Sequence, residues 1–217
     1  MKIYHLQENQ SILNNFIAEI RDKSIQKDQM RFRRNIERIG EILSFEISKK
    51  LTFSQKNIET PLGVKQMKVI DASLVICSVL RAGLPLHQGF LNYFDGAENA
   101  FISAFRHHPN NDAEFEIVSE YVATPNLEGK TICIVDPMLA TGKSLVSVLE
   151  VINQYGKPNE IHVACVIAAR EGVDFIAANF PENSCLWVAA IDEKLNDKGY
   201  IIPGLGDAGD LSYGSKL

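Results

Sequence analysis

The sequence predicts an α/β fold: a mostly parallel central sheet with helices on both faces. Three observations predict it. From residue 74 onward, short apolar runs alternate with stretches of helical periodicity, the strand–loop–helix rhythm of such folds. The apolar runs L-V-I-C-S-V-L (74–80), T-I-C-I-V (131–135), I-H-V-A-C-V-I-A-A (161–169) and L-W-V-A-A-I (186–191) lack strict in-and-out alternation, so both of their faces must be covered. The polar and glycine-rich residues stand just after these strands, where sheets of this kind bind ligands.

Two helices come first. Ile12, Leu13, Phe16, Ile17 and Ile20 share one helical face, and Ile36, Ile39, Leu43 and Ile47 share another. Between Thr52 and Ile70, the Pro61-Leu62-Gly63 turn separates two mixed runs, which predicts a hairpin arm. The strand at 74–80 is followed by Arg81-Ala82-Gly83 and a helix near Leu86 to Phe94, then by a strand over Ala100 to Phe105. After the strand at 131–135 comes a loop, then a helix with apolar positions Leu145, Val148, Leu149, Ile152 and Tyr155. No repeat, linker or low-complexity tract divides the chain, so residues 1–217 are read as one domain.

Composition narrows the function classes. At 217 residues with 46% hydrophobic content, the chain can bury a sizeable core. A net charge of −5 argues against nucleic acid as a partner. The basic cluster Arg31-Phe32-Arg33-Arg34 lies on a helical pattern and reads as a solvated or partner-facing surface. The longest apolar runs are too short to span a membrane. The opening M-K-I-Y-H-L-Q-E-N-Q has no apolar signal core, which favours the cytoplasm. Cys77, Cys133, Cys165 and Cys185 show no metal spacing and sit in or beside strands, as buried reduced thiols would.

The chemistry concentrates in three places. After the strand at 131–135 comes D-P-M-L-A-T-G-K-S, Asp136 to Ser144, leading into a helix. Backbone N–H groups, the Thr141 and Ser144 hydroxyls and the positive helix end suit a phosphate. Asp136 would repel phosphate but can accept hydrogen bonds from sugar hydroxyls, so the pair asks for a phosphorylated ribose. A nucleoside-triphosphate P-loop is the rival reading, but Pro137 stands where its first glycine should be. A plain helix cap after a buried strand is the structural alternative. The second place is G-Y-I-I-P-G-L-G-D-A-G-D, Gly199 to Asp210. It promises no core element, and its backbone could read a flat heterocycle; a surface turn array is the alternative. Third, Arg81 ends a strand beside Gly83, and Arg106 opens the polar loop R-H-H-P-N-N-D after another. Arginine suits a diphosphate.

At these residues the chain resembles the uracil phosphoribosyltransferases, within the type I phosphoribosyltransferase fold. V-L-R-A-G-L-P-L, V-D-P-M-L-A-T-G-K-S, A-A-R-E-G-V (168–173) and L-N-D-K-G-Y-I-I-P-G-L-G-D-A-G-D carry the likeness. The last is the most specific, because purine and orotate enzymes of the fold share the phosphate loop but lack this tail. The resemblance implies transfer of phosphoribose from phosphoribosyl pyrophosphate (PRPP) to uracil, giving UMP and pyrophosphate in pyrimidine salvage. It implies that Asp136, Pro137, Met138, Leu139, Ala140, Thr141, Gly142, Lys143 and Ser144 bind PRPP, with Asp136 on the ribose hydroxyls and Leu139 to Ser144 around the 5′-phosphate. Arg81 and Arg106 would neutralise the pyrophosphate. Ile201, Gly206, Asp207 and Ala208 would bind uracil. Asp207 would also face PRPP and its magnesium shell, and with Arg106 would carry the catalysis. Mg²⁺ would arrive on PRPP with no direct protein ligand. A C-terminal hood and the hairpin arm belong to the implied fold, the arm serving contact in a homodimer or higher homo-oligomer.

Two departures from the family pattern stand out. Lys143 replaces a usual glycine, and R-H-H-P-N-N-D replaces a mobile loop that usually reads R-N-E-E-T. They leave room for a paralogue with reduced catalysis. A PRPP-sensing pyrimidine regulator is a further alternative, disfavoured by the acidic balance and the intact tail.

Overall fold

The computed structural model describes residues 1–107 and 116–216, with the backbone alone for 104–107 and 116–120. A short strand β1 (Lys2–His5) leads to helices α1 (Leu13–Arg21) and α2 (Gln29–Ser48). Asp28 starts α2 by accepting a hydrogen bond from Arg31 N at 3.0 Å, a side-chain cap on a donor the helix cannot satisfy itself. The apolar stripe then buries Phe32, Ile36, Ile39, Leu43 and Ile47. Leu13, Ile17 and Ile20 do the same on α1, but Ile12 precedes that helix and is 59% exposed. The basic cluster is largely neutralised by its surroundings: Arg31 pairs with Glu19, Arg34 with Glu37, and Arg33 donates to the Ser212 carbonyl, while Phe32 points into the core.

The predicted hairpin is present as β2 (Phe53–Thr60) and β3 (Gly63–Ile70), an antiparallel pair closed by Thr60 opposite Gly63. Its apolar side chains Leu62, Val64 and Met67 are exposed. The α/β part follows: β4 (Leu74–Leu80), α3 (Leu84–Leu91), β5 (Glu98–His107), β6 (Glu116–Ala123), β7 (Thr131–Val135), β8 (Met138–Leu139), α4 (Lys143–Ile152), β9 (Glu160–Ala169), α5 (Arg170–Asn179) and β10 (Ser184–Asp192). The main sheet runs β1-β10-β9-β7-β4-β5-β6, and β8 extends it against the far half of β9. Every pairing in it is parallel except β5 with β6.

Alternate residues of each strand feed two cores. Leu74 and Ile76 of β4, Cys133 and Val135 of β7, and Trp187 and Ala189 of β10 pack with α1, α2 and α3. Val75 and Cys77, Ile132 and Ile134, and Leu186 and Val188 pack with α4 and α5. This two-sided burial explains the continuous apolar runs. Tyr155, expected on α4, lies past its end and is 41% exposed. Cys77, Cys133 and Cys165 are buried, and burial pushes Cys77 and Cys133 up to about 12. Cys185, expected to be buried with them, is only half-buried, near the start of β10 and opposite Lys2 of the edge strand β1. Among the described residues, no helix is long and apolar enough to cross a membrane.

Candidate active site

Parallel pairing sets the carboxyl ends of β4 and β7 side by side, each next to the strand it needs. Asp136 is the first residue past β7, and its N–H donates to the Ala164 carbonyl of β9 at 3.1 Å. Pro137 then anchors the loop. Its carbonyl accepts from both Val166 N and Ile167 N, at 3.1 and 2.9 Å, so the chain re-enters the sheet as β8. Pro137 is therefore buried in loop anchoring and is not among the residues lining the cleft.

The loop turns into α4 at Gly142, whose φ is +80°; a Cβ there would also lie 2.8 Å from Ile176 Cγ2. Gly172 of α5 has a different role. A Cβ on it would stand 2.1 Å from the Ala140 carbonyl oxygen, so its bare backbone lets α5 press against the loop. That contact explains why A-A-R-E-G-V belongs with the phosphate loop.

The C-terminal segment closes the other side. β11 (Lys194–Leu195) and β12 (Ile201–Ile202) form a small hairpin whose turn is held by Asn196 Oδ1, which accepts from the N–H groups of Lys198 and Tyr200. Helix α6 (Ala208–Tyr213) follows, with Asp207 as its N-cap accepting from Asp210 N at 3.0 Å. The expectation that this run makes no core element is corrected. Ile201, Leu205 and Ala208 are buried in the main core while Ile202, Pro203 and Gly206 face outward, because the glycines bend the chain between apolar anchors.

A cleft of about 590 Å³ lies between these walls. It is lined by Arg81, Asp136, Met138 to Gly142, Ser144, Ile201 and Gly206 to Ala208. Residues more than sixty positions apart thus meet in one concavity. Asp136 is only partly exposed, and burial pushes its carboxyl up to about 7, offset by the Met138 N–H it accepts at 3.1 Å and reinforced by the Asp207 charge. Arg81 follows β4 directly, and its Nη2 donates to Asp210 Oδ1 and the Gly214 carbonyl at 3.0 and 2.7 Å. The guanidinium is thereby held in place by the same helix that Asp207 caps. Arg106 does not open a loop: β5 runs to His107, and Arg106 sits within it opposite Ile117. The side chain of Arg106 and the polar loop expected to close over the site lie outside the described residues.

A sequence profile for uracil phosphoribosyltransferase matches residues 7–215. The chain belongs to the uracil phosphoribosyltransferase family. It is 48% identical over 217 residues to the uracil phosphoribosyltransferase of Porphyromonas gingivalis, covering all of both chains. To that of Pyrococcus furiosus it is 37% identical over 218 residues, covering 99% of this chain and 91% of the relative. Among solved structures, a protein of Aquifex aeolicus superposes with a TM-score of 0.87 at 32% identity, covering 99% of each. A purine phosphoribosyltransferase from Pyrococcus horikoshii shares the fold alone, with a TM-score of 0.50 at 17% identity over 73% of this chain and 84% of its own.

Among the cleft residues of this uracil phosphoribosyltransferase family member that went unassigned in the sequence, three carry polar or charged side chains: Lys198, Tyr200 and Lys216. Lys198 and Tyr200 lie inside the D-K-G-Y run and could have been named from it. Lys216 gave no signal; the turn after α6 brings its Nζ to 3.9 Å from Asp207 Oδ2. Lys143, where the chain leaves the family pattern, is the exposed first residue of α4, and the positive φ belongs to Gly142 before it. No backbone demand for glycine exists at position 143. Lys143→Gly is therefore expected to change turnover and PRPP affinity by less than about tenfold, the equivalent of roughly 1.4 kcal/mol. Steady-state kinetics on the two proteins check this, and a larger gain of activity in the glycine variant would mark Lys143 as disabling.

Proposed function

We propose that the chain joins uracil to PRPP, releasing UMP and pyrophosphate, with PRPP arriving as its magnesium complex. The observation that carries this reading is the meeting of the Asp136–Ser144 loop and the Ile201–Ala208 segment in one cleft. Asp136 accepts hydrogen bonds from the ribose hydroxyls. The loop from Leu139 to Ser144, with the N-terminus of α4, binds the 5′-phosphate. Pro137 contributes by holding that loop to β9. Arg81 and Arg106 offset the charge of the departing pyrophosphate. Backbone groups of Ile201 and of Gly206 to Ala208 read the base, and Asp207 faces the magnesium-bound PRPP.

The chemistry asks little covalent work of the protein. The bond between C1 of the ribose and the pyrophosphate oxygen breaks, the ribose gains oxocarbenium character, and uracil N1 bonds to that carbon from the opposite face as its proton is lost. Positioning two substrates and stabilising the leaving charge account for the rate. The exposed apolar hairpin, with Leu62, Val64 and Met67, fits a contact between copies of the chain in a homodimer or higher homo-oligomer. A soluble cytoplasmic enzyme of pyrimidine salvage fits the same reading.

Base selectivity tests it. Cytosine reverses donor and acceptor at position 4, which leaves buried groups unpaired and lowers kcat/KM by a factor of about 10⁴. UMP formation from uracil, set against turnover of cytosine, orotate, hypoxanthine and adenine, is expected to show uracil alone as a good substrate. Cytosine within about tenfold of uracil would remove the backbone reader from the mechanism.

A further inference from the structure

The segment that reads the base in the proposed function has few hydrogen bonds of its own. Between Ile201 and Asp207, β12 pairs with β11 over only two residues, and Gly204 and Leu205 then cross to α6 outside any regular element. The structure supplies their partners from far away in sequence. Arg21, the last residue of α1, donates to both carboxylate oxygens of Asp192, the last residue of β10, at 2.8 and 2.7 Å. Both groups also hold Gly204: Arg21 Nη1 donates to its carbonyl at 3.0 Å, and Asp192 Oδ2 accepts from its N–H at 2.9 Å. Gln26 adds a third contact, donating from Nε2 to the Leu205 carbonyl at 3.1 Å and to the Ile20 carbonyl at 2.8 Å.

We propose that Arg21 and Asp192 are positioning residues for uracil: a charged clamp that sets the backbone of Gly204, and through it the groups of Ile201 and Gly206 that face the base. The inference rests on the functional reading above. The pair is poorly explained as a stability device. Asp192 is 8% exposed, and isolated buried ion pairs seldom stabilise a fold over apolar packing. Its hydrogen bonds are instead spent on both polar groups of one peptide in a binding segment. A backbone reader needs its N–H and C=O groups held to within about 0.5 Å, and two rigid planar groups on Gly204 provide that. None of the clamp's hydrogen bonds goes to the 136–144 loop, which is fixed separately through Pro137 and β9. Its loss should therefore act on the base and spare PRPP.

Two variants test this. Arg21→Gln with Asp192→Asn removes both charges together, avoiding a lone buried one. Arg21→Lys keeps the charge and loses the fork, and serves where the double variant does not fold. In each, KM for uracil is expected to rise and the preference for uracil over cytosine to fall, both by about tenfold or more, as for a misplaced binding group. The dissociation constant for magnesium-PRPP alone should stay within about twofold, and amide exchange over residues 201–207 should accelerate. A purely structural role predicts lowered Tm with uracil KM and base preference unchanged, or losses for uracil and PRPP in equal proportion; either result overturns the clamp. A parent protein that makes no UMP at all would overturn the functional reading and the clamp's role with it. An active parent with indifferent variants overturns the clamp alone.

Discussion

Asp207→Asn is expected to lower kcat/KM for UMP synthesis by about 100-fold or more, with folding unchanged, because under the proposed mechanism it removes charge from the reacting region while keeping the shape. The substitution separates two roles of one side chain. As an N-cap, Asp207 Oδ1 accepts from Asp210 N at 3.0 Å, and asparagine caps a helix about as well as aspartate. Helix α6, and with it the hydrogen bonds from Arg81 to Asp210 and to the Gly214 carbonyl, should survive. The negative charge does not survive. That charge lies 3.9 Å from Lys216 Nζ, raises the Asp136 carboxyl, and in the proposed mechanism meets the magnesium shell of PRPP. Thermal unfolding and steady-state kinetics on the purified variant check the two halves separately. Near-normal turnover would reduce Asp207 to a helix cap.

Asp136→Asn should move stability and binding in opposite directions. The Asp136 carboxyl is pushed up to about 7 from an ordinary 3.8, first by burial and then by the Asp207 charge. Between those two values the folded protein holds more protons at this site than the unfolded chain does. Stability from this group is therefore present at low pH and declines as pH rises toward 7, above which the full cost of an ionised, partly buried carboxylate is borne. Asparagine escapes that cost, so at pH 8 the variant should be more stable by about 2–4 kcal/mol, the upper end discounted because the group retains some contact with water. Its PRPP affinity should fall by about 100-fold if Asp136 holds the ribose hydroxyls as proposed, since the two hydroxyls would then lose a charged acceptor worth roughly 1.5 kcal/mol each at the least. In the parent, PRPP affinity should weaken as pH drops below 7, and the variant should lose that dependence. Calorimetric titrations at pH 6 and 8, with thermal melts alongside, measure both effects. A variant that is less stable at pH 8 would mean that the carboxylate is satisfied in the folded protein and that its raised titration has another origin.

What the sequence made legible follows the physics of each part. Strands buried on both faces announce themselves as continuous apolar runs, so β4, β7, β9 and β10 were readable to within a residue or two. The phosphate loop was readable because strand tip, small residues and helix start are contiguous. Its internal wiring was not. Nothing in D-P-M-L-A-T-G-K-S shows that the Pro137 carbonyl serves two N–H groups of β9, because that contact is made across the sheet. The tail misled in one respect. Its glycines, proline and aspartates promised no core element, yet Ile201, Leu205 and Ala208 reach the core, a result decided by tertiary packing. Lys216, Arg21 and Asp192 carry no local pattern. Only the fold brings a helix end and a strand end together on Gly204, and the C-terminal turn to Asp207.

The most direct test of phosphoribosyl transfer at this cleft is to follow the reaction of magnesium-PRPP and uracil by phosphorus and proton magnetic resonance. In-line displacement at C1 predicts UMP as the inverted β-anomer, with one pyrophosphate released for each UMP formed. Ribose 5-phosphate and pyrophosphate without UMP would show a PRPP hydrolase, and retention at C1 would demand a covalent intermediate; either result would contradict the mechanism.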